Sequence, residues 1–167
     1  MRDISCTICV ALVAMMCAMC SGGAGYRCGQ EPTLPCRFDE IRTVSLIYSD
    51  TLNSFGFVAV LTDTVMMCRY TDRRGSLRER AWVERKSDVV NIKKLVTQIP
   101  PTVIPYKYMG SKSDATRMIL MVDGDTLMAN NDYHNGVMPY SYVPICKYMS
   151  LLIRHSGCDI ERRMLPD

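Results

Sequence analysis

Short apolar segments alternate with polar breaks along the first half of this chain. Ile41 to Tyr48, Phe55 to Leu61 and Val65 to Tyr70 are rich in β-branched residues and partly alternate between apolar and polar positions. This period of two predicts three strands. Because only short polar breaks separate them, we expect the strands to form an antiparallel meander.

The hydrophobic period changes after Tyr70 and predicts an amphipathic helix. Ser76 and Glu79 have the spacing of a capping box, whose hydroxyl and carboxylate satisfy free N–H groups at a helix start. Pro100 and Pro101 end the helix, because proline nitrogen cannot donate and the residue before proline disfavours helix. Apolar residues recur at helical spacing between these signals: Trp82, Val89, Ile92, Val96 and Ile99.

Two further elements are predicted beyond Pro105. Arg117 to Val122 and Thr126 to Ala129 flank Asp123-Gly124, a pair that favours a two-residue hairpin turn and explains the acidic residues there without a metal. A terminal helix would begin at Pro144 and end at Gly157. A strand over the same residues is the alternative.

The N-terminal segment predicts a secretory signal peptide. Residues 4–20 are almost continuously apolar, Arg2 precedes them, and small residues follow at 21–25, so we expect cleavage between Cys20 and Tyr26. An uncleaved anchor is the alternative, but the run is shorter than the ~20 apolar residues of a spanning helix. The predicted organisation is a signal peptide at 1–25, a first module at 26–99 and a C-terminal extension at 100–167.

Cysteine usage indicates an oxidising compartment. Four of the nine cysteines lie in the segment predicted to be removed, and five remain: Cys28, Cys36, Cys68, Cys146 and Cys158. Exported chains form disulfides, and an odd count leaves one thiol over. That thiol would bond a partner covalently or stay buried and inert; cleavage upstream of Cys20 would instead leave six cysteines.

Positive charge is concentrated in one segment. The net charge is only +3, but between Arg69 and Lys94 there are nine basic residues against four acidic ones. Such a cluster attracts a glycosaminoglycan or an acidic protein, and a solvated surface with internal ion pairs is the alternative. Nucleic acid is not expected for an exported protein. The candidate patch for binding a partner or receptor is Arg73, Arg74, Arg78, Arg80, Arg85 and Lys86.

No motif in the chain indicates catalysis or a cofactor. The two histidines, His134 and His155, stand apart in polar surroundings, as surface histidines do. Nucleophile motifs and phosphate-binding glycine loops are absent from the sequence. We therefore expect a binding protein without metal or cofactor, with a secreted enzyme of unfamiliar type as a rival.

The order of elements in the first module resembles the chemokine fold. The segments Ile41 to Ser45 and Phe57 to Thr62 are similar to the first two chemokine strands, and Trp82-Val83 is similar to the start of the chemokine helix. The resemblance implies an α+β fold, with a chemokine-like three-stranded antiparallel sheet, a packed helix and a β-rich C-terminal extension. It also implies a Cys36–Cys68 disulfide, with Cys28, Cys146 and Cys158 free for further or intermolecular bonds.

Signal peptide, chemokine-like module and extension together resemble the chemokine-like small subunits of the pentameric glycoprotein complex of cytomegalovirus, a betaherpesvirus. The similar stretches are Arg69 to Val83, Lys112 to Asp114 and Met118 to Gly124. The resemblance implies a secreted accessory subunit on the virion envelope. Such a subunit binds a glycoprotein H/glycoprotein L heterodimer, other small subunits and a host receptor, and promotes infection of particular cell types. A free secreted chemokine-like immunomodulator or decoy is the alternative.

Overall fold

The computed structural model describes residues 37–108, 116–131 and 138–160. The predictions for the N-terminal segment, Cys28, Cys36 and His134 lie outside these residues. The described parts form seven strands, two α-helices and two short 3-10 turns, Phe38–Glu40 and Pro101–Val103. In chain order the longer elements are β1 (Val44–Asp50), β2 (Phe55–Leu61), β3 (Val65–Thr71), β4 (Leu77–Val83), α1 (Lys86–Thr97), β5 (Tyr106–Tyr108), β6 (Thr116–Val122), β7 (Asp125–Asn130) and α2 (Val143–His155).

The seven strands form a single mixed sheet in the order β4-β3-β2-β1-β6-β7-β5. Every neighbouring pair is antiparallel except β5 and β7, which run parallel. β1 is interior and pairs with both β2 and β6, so Leu46 stands opposite Ala59 on one side and Leu120 on the other. The central strand therefore joins segments that are distant in sequence.

One face of the sheet carries the core. Along β1 the side chains of Val44, Leu46 and Tyr48 are buried, whereas the intervening Ser45 and Ile47 are only half-buried. This alternation is the period of a strand with one face packed on other elements. The helices cover the buried face, and their side chains in the same core are Val89, Ile92 and Val96 of α1 and Ile145, Cys146, Met149, Leu152 and Ile153 of α2.

The expected chemokine-like fold, with a three-stranded sheet, a packed helix and a β-rich extension, is wrong. β4 adds a fourth strand beside β3, and β6, β7 and β5 continue the same sheet beyond β1. The edge of β1 that a three-stranded meander would leave open is paired with β6 along seven residues. The protein is therefore sheet-rich, with both helices on one large sheet.

The expected helix start at Ser76 and Trp82 is also wrong. Leu77–Val83 is strand β4, where Trp82 stands opposite Met66 of β3, and α1 begins only at Lys86. Ser76 lies in the turn before β4, where its backbone N–H donates to Asp72. Trp82 has helical spacing to the apolar residues of α1 by chance, because only two residues separate the end of β4 from the start of α1.

Two local predictions beyond Pro105 are confirmed. β6 and β7 form the expected hairpin around Asp123 and Gly124, both of which have positive φ. α2 spans Val143–His155 with a proline in its first turn, and Gly157 follows it with φ near +75°, so the helix prediction holds over the strand alternative. Neither described helix is long and apolar enough to cross a membrane.

Candidate functional site

β4 is an edge strand with apolar side chains exposed to solvent. It pairs with β3 along seven residues, and within the described residues no strand pairs with its other edge. Leu77 and Val83, at its two ends, are 68% and 77% exposed. An exposed strand edge presents unpaired backbone N–H and C=O groups, which another chain can pair with. We call residues Leu77–Val83 the β4 edge.

The turn from β3 into β4 is fixed by one carboxylate. Asp72 is buried, and its Oδ1 accepts from the backbone N–H groups of Arg74 at 2.9 Å and Ser76 at 2.8 Å. Its Oδ2 accepts from Nε of Arg78 at 3.0 Å. The hydrogen bonds from Ser76 and Arg78 lower the pKa of Asp72, because they stabilise the charged carboxylate. The start of the β4 edge is therefore held firmly on β3.

A cleft adjoins the far end of the β4 edge. It has a volume of about 460 Å³ and lies between the end of β4, the start of α1 and the last turns of α2. Val83 and Leu151 give it exposed apolar walls, 77% and 44% exposed respectively. Its lining residues are Trp82, Val83, Glu84, Arg85, Asp88, Tyr148, Leu151, Leu152, His155 and Ser156. We call this the helix-end cleft.

Polar groups in the helix-end cleft are bound to one another. The Tyr148 hydroxyl donates to Oδ1 of Asp88 at 2.8 Å and so joins α2 to α1. Nε1 of Trp82 donates to Oε1 of Glu84. With these carboxylates already engaged, the apolar side chains and the exposed Arg85 and His155 are the groups free to meet a ligand. Such a composition suits a protein side chain better than a small charged substrate.

The structure divides the six basic residues of the expected patch into two sets. Arg73, Arg78 and Arg80 bind within the chain: Arg73 pairs with Asp159 at 2.9 Å, Arg78 binds Asp72, and Arg80 donates to the Gly157 carbonyl at 3.1 Å. Arg74, Arg85 and Lys86 are exposed and form no ion pair with another described residue. The structure thus spreads these residues from the β3–β4 turn to the start of α1.

The described cysteines lie in different settings. Cys146 is fully buried in α2, and burial raises its pKa to about 12. An intermolecular bond there would require α2 to leave the core. Cys68 is fully buried on β3, whereas Cys158 follows α2 and is half-buried beside it. Cys36 and Cys28 lie outside the described residues, so the Cys36–Cys68 bond stays a prediction.

Sequence reasoning found Arg85 and Trp82 but missed their apolar neighbours. Leu77 and Val83 were missed because the segment was interpreted as a helix start. Their positions differ by an even number of residues, which is consistent with one face of a strand. His155 is exposed, as expected, and among the described residues no three histidine, cysteine, aspartate or glutamate side chains are grouped to hold a metal.

No protein-family model, curated protein sequence or solved structure matches this chain.

Proposed function

We propose that this chain is a secreted accessory subunit of a viral envelope complex, which binds a glycoprotein H/glycoprotein L heterodimer and promotes infection of particular cell types. The support from sequence is the resemblance of Arg69 to Val83, Lys112 to Asp114 and Met118 to Gly124 to the small subunits of the cytomegalovirus pentamer. The first of these stretches begins within β3 and ends with β4. The proposal therefore centres on the β4 edge.

The observation that carries the proposal is the exposed apolar character of that edge. Leu77 and Val83 bracket a seven-residue strand whose outer backbone edge is unpaired among the described residues. Soluble proteins commonly protect such edges, because an open strand recruits other chains. A partner strand could extend the sheet here, with its backbone providing hydrogen bonds and its side chains meeting Leu77 and Val83.

The neighbouring helix-end cleft fits the same role. It receives the exposed side chains of Val83 and Leu151 at one end of the β4 edge. An apolar or aromatic side chain from a partner would be buried there, while Arg85 in the cleft and the next residue, the exposed Lys86, would attract an acidic neighbour. The alternative of a free secreted chemokine-like immunomodulator or decoy stays a prediction, because no observation of this fold tests it.

Co-expression with a glycoprotein H/glycoprotein L pair tests the proposal. Leu77→Asp combined with Val83→Asp should reduce co-purification at least tenfold, because two charges would be desolvated at the contact. Leu52→Asp is the matched control, since Leu52 is 79% exposed in the β1–β2 turn, away from the β4 edge. The control should bind like the wild type.

Two results would contradict the proposal. Failure of a folded, monodisperse wild-type chain to co-purify with the heterodimer would exclude this partner. Equal co-purification of the Leu77/Val83 double variant and the wild type would exclude the β4 edge as the contact. Circular dichroism of each variant separates loss of binding from loss of fold. Both positions are exposed, so the aspartate variants should keep the wild-type spectrum.

A further inference from the structure

Cys158 is held over the part of the sheet that contains Cys68. Cys68 lies in the middle of β3, on the face that packs on the helices, and stands opposite Arg80 of β4. Arg80 crosses to the segment after α2, where its Nη1 donates to the carbonyl of Gly157 at 3.1 Å. Next to Cys158, Asp159 pairs with Arg73 at 2.9 Å. Contacts from the β3–β4 hairpin thus fix both neighbours of Cys158.

The two thiols contact each other. Cys68 and Cys158 are joined by a side-chain hydrogen bond, and Cys158 packs against the core cluster that contains Cys68. Ser156 Oγ lies 3.0 Å from Sγ of Cys158 and accepts from its backbone N–H at 3.3 Å. The two thiols are thus neighbours, and proximity of the two side chains is the first requirement for a disulfide.

The electrostatics differ between the two sulfurs. The hydrogen bond with Cys68 lowers the pKa of Cys158 to about 6, and Ser156, Arg80 and Tyr70 add to this effect while burial opposes it. The same hydrogen bond, together with burial, raises the pKa of the Cys68 thiol. Cys158 is therefore the better nucleophile at neutral pH and is also the more accessible of the two.

We propose that Cys68 and Cys158 form an intramolecular disulfide that attaches the segment after α2 to strand β3. This inference does not depend on the proposed function. It assigns Cys68 a partner different from Cys36, the one implied by the chemokine resemblance, and one thiol cannot serve both. Because Ser156 lines the helix-end cleft, the bond would also fix one wall of that cleft.

The reaction is thiol–disulfide exchange with a disulfide oxidant, for example glutathione disulfide. The Cys158 thiolate attacks one sulfur of the oxidant, a mixed disulfide forms, and the first reduced thiol leaves. Cys68 then loses its proton and attacks Sγ of Cys158, which breaks the mixed disulfide and releases the second reduced thiol. The two cysteines lose two protons and two electrons, and the oxidant gains them.

Non-reducing peptide mapping tests the proposal directly. Full-length protein is equilibrated with glutathione disulfide, its remaining thiols are alkylated, and it is digested with trypsin without reduction. Trypsin places the relevant cysteines on separate peptides: 43–69 carries Cys68, 155–162 carries Cys158, 28–37 carries Cys28 and Cys36, and 118–147 carries Cys146. The expected product is peptide 43–69 linked to peptide 155–162. A link from 43–69 to 28–37, or an alkylated Cys68 at equilibrium, would overturn it.

Two variants guard against misfolding as an explanation. Cys158→Ser should leave Cys68 unlinked and should abolish the difference in urea midpoint between oxidised and reduced protein. Cys146→Ala should keep the 43–69 to 155–162 link, because its thiol is buried elsewhere in α2. In the reduced protein, alkylation of Cys158 by iodoacetamide should begin at a lower pH than alkylation of an ordinary thiol, whose pKa is ~8.5. An unchanged midpoint difference in Cys158→Ser would contradict the proposal.

Discussion

Among single residues, Tyr142 shows how this core accommodates a polar group. Its side chain is fully buried beside the start of α2, and its hydroxyl lies 2.8 Å from the Val103 carbonyl and 3.0 Å from the Leu127 carbonyl. One hydroxyl therefore links the approach to β5, strand β7 and helix α2. Burial raises the pKa of Tyr142 to about 12, so the hydroxyl remains a donor at physiological pH.

Tyr142→Phe should destabilise the protein by about 1–2 kcal/mol, because it leaves buried carbonyls without their donor. Urea denaturation followed by circular dichroism measures the change. Tyr140→Phe is the matched control: Tyr140 is 94% exposed, and removing its hydroxyl should leave the midpoint unchanged. Equal midpoints for Tyr142→Phe and the wild type would show that the hydroxyl contributes nothing to stability.

Lys93 is a second polar residue in the core region and behaves differently. It is buried on α1, and its Nζ binds Oδ1 of Asp63 at 2.7 Å, while the Asp63 side chain is 83% exposed. Asp63→Asn should lower the urea midpoint, because the ammonium group then loses its ionised partner. Lys93→Met should lie within about 1 kcal/mol of the wild type, because an apolar side chain of similar length needs no partner. A larger loss for Lys93→Met than for Asp63→Asn would contradict this account.

Among the elements, the turn between β3 and β4 depends on the charge of Asp72. The hydrogen bonds from Ser76 and Arg78 depress the pKa of Asp72 below its ordinary value. A depressed folded-state pKa means that Asp72 contributes stability above the unfolded pKa, and that this contribution disappears as pH falls through the folded pKa. The effect therefore lies on the acid side, below about pH 4.

Asp72→Asn should accordingly lower the urea midpoint at pH 7, and the difference from the wild type should shrink as the pH falls below about 4. Asp125→Asn serves as the control, since Asp125 is exposed at the start of β7 and forms no ion pair with another described residue. A gap between Asp72→Asn and wild type that is constant from pH 7 to pH 3 would mean that the carboxylate charge is irrelevant to the turn.

Elements set by local chemistry could be predicted from the sequence. β2 begins and ends where expected, and the Asp123-Gly124 hairpin forms because two successive residues accept positive φ there. β4 could not be predicted in this way. Its central residues, Arg78 to Ala81, are all exposed, so the strand lacks the alternation that marks a half-buried strand. In addition, Ser76 and Glu79 have the spacing of a capping box, which led to the wrong helix start.

For the whole molecule, the decisive pairing is between β1 and β6, which are separated by more than 60 residues. No short stretch of sequence specifies that pairing, because the backbone edge of β1 can pair with any strand whose apolar and polar side chains alternate in the same way. The three-stranded expectation failed for this reason. The candidate site was recovered only in part for the same reason, since Trp82 and Arg85 line the same cleft as Tyr148 and Leu151 only through the packing of α2.

The same pairing predicts that residues 26–99 will not fold alone. That fragment lacks β6, which pairs with all seven residues of β1, and lacks α2. It therefore loses the buried side chains of Met118, Leu120, Ile145, Met149 and Ile153. At about 1.5–3 kcal/mol for each buried side chain, their loss is on the order of 10 kcal/mol, comparable with the total stability of a domain.

Thermal unfolding followed by circular dichroism measures the outcome, with chain 26–167 as the control. The full chain should unfold in one cooperative transition, whereas 26–99 should show none and should aggregate through the exposed edge of β1. Addition of a separate 100–167 chain should restore a transition, since it supplies β6 and α2. A cooperative transition in 26–99 alone would show that β1 to β4 and α1 form an independent unit, and that the seven-stranded sheet is two folding units rather than one.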